Sequence, residues 1–321
     1  MKTIFVLAIG SCLFAGAHAG AAHAQAPRTW VSASGLDGNP CTRLQPCQTF
    51  AGAYAKTNAG GEIDVIDGGD FGAVTIQHAL TIANDGAGTA AITPASNMPA
   101  IEINAAPADA VVLRGLSLIG VGATGQGVLF VAGGSLVVDH CKIQGFPVSP
   151  GIDFASNTIA RLSVTDTVLS NDGSSYSASV LIAPQFGGGA AVHLERVQVL
   201  NAIGNGIRVD GTIQPTAVDV ELHEVVVDGS SGGSGIVAVA PTSGGPTVKL
   251  VADNVTSSHN AGYGFRAVGG TVSVTLSRSV SEDNAVGLGA SSGGQIFSYG
   301  DNRFANNTGG NGSAPTPIGL E

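Results

Sequence analysis

The sequence predicts an all-β solenoid, a stack of short coils whose strands run parallel to one another. Three observations support this prediction. A six-residue pattern recurs eight times after residue 110, and its apolar and polar residues alternate as they do in short strands. The composition is also rich in glycine, with 48 glycines in 321 residues, and only 11% of the chain is charged. Helical bundles need more Leu, Glu and Lys than this chain contains.

Each repeat begins at an apolar anchor followed by two polar residues, and successive anchors lie 23 to 30 residues apart. The anchors are Leu113, Val138, Val164, Leu194, Leu222, Ala252, Leu276 and Tyr299. The pattern indicates two short strands joined by a bend that faces water, then a turn and a third strand opened by glycine. Such a coil cannot bury its own inner face, so the coils must stack. The period is too short for a β-propeller, and an immunoglobulin-like sandwich would not repeat in this way.

The N-terminus has the features of a secretory signal peptide. Lys2 precedes an apolar run, and small residues suited to cleavage follow. A cut after Ala26 is favoured, so that residues 1–26 form the leader, and a cut after Ala24 is the alternative. No later stretch approaches the length of a membrane span. The sequence therefore predicts export, to the periplasm or beyond the cell.

The chain is acidic, with 13 Lys and Arg residues against 23 Asp and Glu residues and a formal charge of −10. Nucleic-acid binding is driven largely by Lys and Arg, so a nucleic-acid partner is not expected. The same charge disfavours an unassisted site for a polyanionic sugar. Outward aromatic side chains that could stack on sugar rings are few, and Trp30 precedes the predicted helix.

Three cysteines follow the leader. Cys41 and Cys47 flank the five residues TRLQP, and in an oxidising compartment they favour a local disulfide. The alternative is half of a metal site, but no nearby Cys or His would complete it. Cys141 shares an inward column with Leu116 and Thr167, which favours a buried, inert thiol over a nucleophile.

The stretch VSASGLDGNPCTRLQPCQTFAGAYA, residues 31–55, resembles the N-terminal segment of right-handed parallel β-helix proteins of the pectate-lyase-like superfamily. It keeps the pattern residues Gly35, Asp37, Asn39, Pro40, Thr42, Pro46 and Thr49. The resemblance implies a right-handed parallel β-helix with a short N-terminal capping helix.

The predicted divisions follow from this pattern. Residues 27–59 form the N-terminal segment and capping helix, whose apolar face carries Phe50, Ala53, Tyr54 and Thr57. Residues 60–308 form the β-helix. Residues 309–321 form a flexible Gly/Pro-rich tail, which leaves the last coil either covered irregularly or in contact with another molecule.

The densest group of acid and base side chains lies in the stretches HLER and ELHE. The candidate catalytic residues are His193, Glu195, Arg196, Glu221, His223 and Glu224. Aligning the anchors places His193 over Glu221, Glu195 over His223 and Arg196 over Glu224. Such a cluster could divide acid and base roles. Charge signs largely alternate up the same columns, however, and this favours a structural ladder that stabilises stacking.

No motif indicates a reaction. The catalytic segments typical of the superfamily's polygalacturonases and lyases are not found, so the resemblance transfers no catalytic residue. No cofactor, metal site or membrane span is predicted, and the oligomeric state is not readable. The sequence predicts an exported scaffold whose side faces recognise an extracellular or cell-surface polysaccharide or partner. The alternative is a polysaccharide lyase or glycoside hydrolase acting at the HLER and ELHE residues.

Overall fold

The computed structural model describes residues 25–122, 124–175, 177–213 and 215–319. The chain winds into a β-solenoid of about ten coils, and the strands of successive coils form three parallel sheets. Each coil passes through sheet 1, sheet 2 and sheet 3 in that order. The prediction of an all-β parallel solenoid with one short N-terminal helix is confirmed. The predicted signal peptide, residues 1–26, lies almost entirely outside the described residues.

The strand counts that follow refer to the described residues. Sheet 1 has twelve strands there: Ala26–Val31, Thr57–Val65, Leu80–Ala83, Ala110–Arg114, Ser135–Asp139, Ile159–Thr165, Gly189–Glu195, Ala217–His223, Thr247–Asp253, Val272–Ser277, Gln295–Ser298 and Thr316–Pro317. Sheet 2 has ten strands: Gly69–Asp70, Ala90–Ile92, Leu116–Ile119, Lys142–Gln144, Val168–Ser170, Gln198–Leu200, Val226–Asp228, Thr256–Ser258, Val280–Glu282 and Arg303–Ala305. Sheet 3 has nine strands: Val74–Ile76, Ile101–Asn104, Val128–Ala132, Ile152–Phe154, Ala178–Ile182, Asn205–Asp210, Ile236–Val239, Tyr263–Val268 and Val286–Ser291.

The bend between sheet 1 and sheet 2 is a single residue in the left-handed backbone region. Seven coils share this geometry, with φ between 47° and 70°, at Gly115, His140, Asp166, Arg196, Glu224, Asn254 and Arg278. The end of sheet 2 turns in the same way, through residues that include Asn171, Asn201, Gly229, Asp283 and Asn306. They lie at the turn that the sequence pattern predicts before the third strand of each coil. One left-handed residue redirects the chain sharply enough to start a new sheet without lengthening the coil.

Every second residue of a strand points inward, and these inward side chains fill the interior. Leu136, Leu162, Val192 and Val220 stack through consecutive coils of sheet 1. Cys141 follows the left-handed corner and is buried, and burial raises the pKa of its thiol to about 12. This agrees with the predicted inert thiol.

The N-terminal segment closes the first coil with a helix that spans Phe50–Tyr54. Phe50 is fully buried, and its ring centroid lies 5.2 Å from that of Phe71. The side chain of Thr49 caps the helix by accepting from the Gly52 amide. Asp37 in turn accepts from the Gln48 and Thr49 amides at 3.0 and 2.9 Å. Residues of the predicted N-terminal pattern therefore hold the start of the helix in place.

A disulfide at the N-terminal end and a short last strand at the C-terminal end correspond to two of the sequence predictions. Cys41 and Cys47 form a disulfide. At the other end, Thr316–Pro317 pairs with Phe297 and Ser298 of sheet 1, and Gly312 bridges to Leu288 of sheet 3. Residues assigned to the tail thus add a partial last layer, and their flexibility stays a prediction. Among the described residues, no helix has the length and apolar character needed to cross a membrane.

A column of polar side chains is buried just after the turn at the end of sheet 2. Asn260, Asn284 and Asn307 stack there. The side-chain oxygen of Asn284 accepts from the Asn260 amide in the preceding coil, and that of Asn307 accepts from the Asn284 amide, both at 3.0 Å. Asp172 occupies the equivalent place and accepts from the Phe146 amide at 3.0 Å. Burial raises the pKa of the Asp172 carboxyl to about 7.

Candidate functional site

The outward face of sheet 1 brings the predicted site residues together in parallel columns. The ladder column is the last strand position, and it contains Arg114, Asp139, Thr165, Glu195, His223, Asp253 and Ser277. The central column lies two positions earlier and contains Val112, Val137, Ser163, His193, Glu221, Val251 and Thr275. The far column, two positions earlier again, contains Ala110, Ser135, Arg161, Ala191, Asp219, Lys249 and Ser273.

The register of the candidate residues is the one that the repeat predicts. His193 pairs with Glu221 in the central column, and Glu195 pairs with His223 in the ladder column. Arg196 and Glu224 are the left-handed corner residues that follow, with φ of 51° and 54°. Adjacent strands lie about 4.8 Å apart, so all six residues share one small area of the surface.

Ion pairs connect these side chains within and between coils. His193 lies between two carboxylates, with nitrogen to oxygen distances of 3.6 Å both to Glu195 and to Glu221. His223 lies 3.1 Å from Asp253 in the next coil and 3.6 Å from Glu224 beside it. The structure therefore contains the charge ladder that the alternation of signs indicated.

Arg196 occupies the predicted position, and its ion pairs run to the preceding coil and to its own strand. Its guanidinium does not pair with Glu224 but donates to both carboxylate oxygens of Asp166 in the preceding coil, at 2.7 and 2.8 Å, and also bonds Glu195. The hydrogen bonds from Arg196 hold the pKa of Asp166 below its ordinary value. A planar guanidinium can donate two hydrogen bonds to one carboxylate, which explains why the long side chain turns toward Asp166.

The ladder continues on both sides of the candidate residues. Arg278 binds Asp253, and its hydrogen bonds lower the pKa of that carboxyl. Asp139, His140 and Asp166 present ligand atoms within 4.8 Å of one another, which is a spacing that a metal ion could use. Asp166 is already engaged by Arg196, so a cation there would have to displace a two-bond ion pair. We assign this cluster to the ladder.

A shallow groove of about 370 Å³ crosses the far and central columns beside the ladder. The outward side chains along it are Ser135, Val137, Arg161, Ser163, Ala191, His193, Asp219 and Glu221. Small residues form its floor, because Ser135, Ser163 and Ala191 leave the sheet surface uncovered. Longer polar side chains stand around them. The groove is a place on this face where a ligand can approach the sheet closely.

Two groove residues, Arg161 and Asp219, are absent from the sequence predictions. They lie three positions before the anchors Val164 and Leu222, whereas the compared pattern begins at the anchor itself. Extending the period-two alternation backward from each anchor would have placed both on the same outward face as His193. Within the part of the chain that the structure describes, the Arg161 side chain forms no ion pair.

Exposure limits what the candidate residues can do chemically. The side chain of His193 is 43% exposed and that of Glu221 is 73% exposed. Acid and base groups of enzymes commonly work in sites from which water is excluded. The exposed His193–Glu221 pair is better suited to hydrogen bonding a polar ligand than to proton transfer. Glu195, Arg196, His223 and Glu224 lie outside the groove lining and serve the ladder.

Comparison with known proteins identifies the fold. No family model and no curated protein sequence matches the chain. Among solved structures, the pectate lyase Pel9A superposes with a TM-score of 0.62, covering 92% of this chain and 80% of its own at 11% identity. A rhamnogalacturonan lyase superposes with a TM-score of 0.56, covering 84% of this chain and 75% of its own, also at 11% identity. The chain has the pectate-lyase-like β-helix fold.

The predicted resemblance of this pectate-lyase-like β-helix is therefore confirmed at the level of the fold. At 11% identity the likeness concerns the path of the backbone, so it assigns no role to a side chain. The groove and the ladder belong to this chain's own sequence, and function has to be argued from them.

Proposed function

We propose that this pectate-lyase-like β-helix is an exported polysaccharide-binding protein, and that the groove on sheet 1 holds a segment of the saccharide chain. The observation that carries the proposal is the groove itself, an open trough about 370 Å³ in volume on an otherwise regular sheet. An open surface groove can accept an internal segment of a polymer, whereas an enclosed pocket would accept only a small molecule or a chain end.

The polar groups around the groove suit a ligand with many hydroxyl groups. Arg161 and His193 offer donors, while Asp219 and Glu221 accept. The floor contributes the hydroxyls of Ser135 and Ser163. Cationic and anionic groups are present together, so binding does not require a polyanion. The unpaired guanidinium of Arg161 is the strongest donor in the groove, because no ion pair within the described residues competes for it.

Export is part of the proposal and rests on the leader-like residues 1–26 and on the disulfide between Cys41 and Cys47. Disulfides persist in oxidising compartments, which agrees with a periplasmic or extracellular location. A polysaccharide partner is supported by the fold, since both superposed structures are named as lyases of polysaccharides.

A second candidate function is hydrolysis or lysis of the bound glycan. It is favoured by one contact, the 3.6 Å approach of His193 Nδ1 to Glu221 within the groove. Under this alternative, Glu221→Gln abolishes product release while barely moving the melting temperature. Under the binding proposal, the same variant leaves no activity to lose.

The test incubates the mature protein with neutral and acidic polysaccharides, with and without Ca²⁺. Binding is measured by affinity electrophoresis and calorimetry, and products are measured as reducing ends and unsaturated-sugar absorbance. We expect binding without product. Arg161→Ala should weaken binding at least about tenfold, since a hydrogen bond from a charged donor is worth about 1.5 to 3 kcal/mol.

Lys249→Ala is the matched control for Arg161→Ala. Lys249 is an exposed cation in the same far column, three strands further along, and it does not line the groove. Equal weakening by both variants would reduce the effect to general charge and contradict a site in the groove. An absence of binding across the panel would refute the proposal, and product release that is lost in Glu221→Gln would establish the alternative.

A further inference from the structure

A second pocket lies at the N-terminal end of sheet 1, near the corner where the chain enters sheet 2. Its volume is about 360 Å³. Three separate parts of the chain line it: Arg28 and Trp30 from the first strand, Arg43 from the disulfide loop, and Asp64 with residues 65–66, 83 and 85–87 from the first coils. None of these residues belongs to the groove or to the six candidate residues.

Trp30 is held in a defined position at the wall of this pocket. Its amide donates to the carbonyl of Cys41 at 2.9 Å, and its carbonyl accepts from the Cys47 amide at 3.0 Å. The guanidinium carbon of Arg28 lies 5.8 Å from the ring centroid, at cation–π distance. The loop that the disulfide closes therefore fixes the backbone of Trp30 and carries Arg43 to the same pocket.

The carboxylates in the pocket already have cationic partners. Asp64 is bound by Arg28, and Asp85 accepts from Nε and Nη2 of Arg114 at 2.8 and 3.1 Å. Arg43 is exposed and forms no ion pair with any residue that the structure describes. The lining as a whole holds two guanidinium groups and two carboxylates, so its formal charge is balanced.

We infer that this pocket binds one neutral pyranose unit of a glycan. An indole ring offers a flat apolar surface to the C–H face of a sugar ring, and its N–H serves as a donor. Arg43 donates to hydroxyl oxygens, and the carboxylate of Asp85 accepts from hydroxyl groups. The balanced charge favours a neutral sugar over a uronate, since a uronate would add an anion to a site that has no net positive charge.

The pocket and the groove lie on the same face of the solenoid. Six strand spacings separate the strand of Trp30 from the strand of His193, which corresponds to about 30 Å. A short oligosaccharide can occupy only one of them. Binding in the pocket therefore does not depend on the groove, and the two sites can be tested separately.

Trp30 is the only tryptophan in the chain, so its fluorescence reports on this pocket directly. The experiment titrates the mature protein with cello-, xylo- and galacto-oligosaccharides and with trigalacturonate, and records the tryptophan emission. We expect a saturable change with at least one neutral oligosaccharide. In Arg43→Ala the apparent affinity should fall about tenfold, because a donor with a full charge is lost.

Lys142→Ala is the matched control, since Lys142 is an exposed cation on sheet 2 away from the pocket. It should titrate like the unaltered protein. Arg161→Ala should also keep the Trp30 response, which separates a failure of this pocket from a failure of the groove. The inference is overturned by a flat emission signal with every sugar, by a response to trigalacturonate alone, or by equal affinities in Arg43→Ala and Lys142→Ala.

Discussion

Replacing Asp172 with asparagine should stabilise the protein at neutral pH. Asp172 is fully buried, and within the described residues it has no cationic partner. Its polar contacts are the Phe146 amide at 3.0 Å and the Ser179 hydroxyl at 3.4 Å. Burial without a counter-charge raises the pKa of the carboxyl from 3.8 to about 7.

The sign of the pH dependence follows from this shift. Because the pKa is higher in the folded protein, the folded state keeps a proton that the unfolded chain releases between about pH 4 and pH 7. The free energy of unfolding therefore falls as the pH rises through that window. A shift of this size corresponds to at most about 4 kcal/mol by pH 8.

Asparagine should remove this loss and keep the hydrogen bond. At the equivalent place in later coils, the Asn284 side-chain oxygen accepts from the Asn260 amide with the same 3.0 Å geometry. Denaturant unfolding from pH 4 to pH 8 measures the effect. We expect Asp172→Asn to match the parent near pH 4 and to exceed it by 1 to 4 kcal/mol, about the size of the linkage term, at pH 8. Asp301→Asn, at an exposed carboxylate, is the control. A difference between parent and variant that does not change with pH would refute the role of Asp172.

The other predictions concern the ladder and the free thiol. His223→Ala should cost less than about 1 kcal/mol, and less still in high salt, because Arg278 continues to bind Asp253 and the pair is partly exposed. Thermal unfolding at two salt concentrations checks this, and a loss of several kcal/mol would contradict the ladder as a set of weak, additive contacts. Cys141 should resist alkylation in the native protein at pH 8 and react once the protein is unfolded, because its thiol is buried with a pKa of about 12. Mass spectrometry of the peptide that contains Cys141 gives the result, and rapid native labelling would show that the column around it opens.

The register of sheet 1 could be predicted because the apolar anchors repeat with their alternation intact. A slip of one residue would turn every core side chain outward, so the pattern permits one alignment. This is why His193 was correctly placed over Glu221. The direction of the Arg196 ion pair could not be predicted, because a long side chain at a corner reaches the coil above or below equally well.

Three other features could not be predicted from the sequence, each for a different physical reason. Arg196 and Glu224 lie in left-handed corners, yet neither residue type normally signals that backbone, so the bend was predicted without its geometry. Asp172 follows a turn residue, and a charged residue at such a place is expected in an exposed loop. Stacking of the coils buries it instead. The pocket at Trp30 assembles segments far apart in sequence, and a local pattern cannot bring Arg43 and Asp85 together.

The corners between sheet 1 and sheet 2 have a consequence for how this surface can be altered. A residue other than glycine in that backbone region is strained by about 1 to 2 kcal/mol, yet charged side chains occupy most of these places. Their side chains project at intervals of about 4.8 Å and have no part in the core. Each corner residue can therefore be replaced independently of the others. Changing Arg196 or Glu224 alters the electrostatic pattern of the surface and removes only the ion pairs that these side chains form, while the core of the stack stays in place.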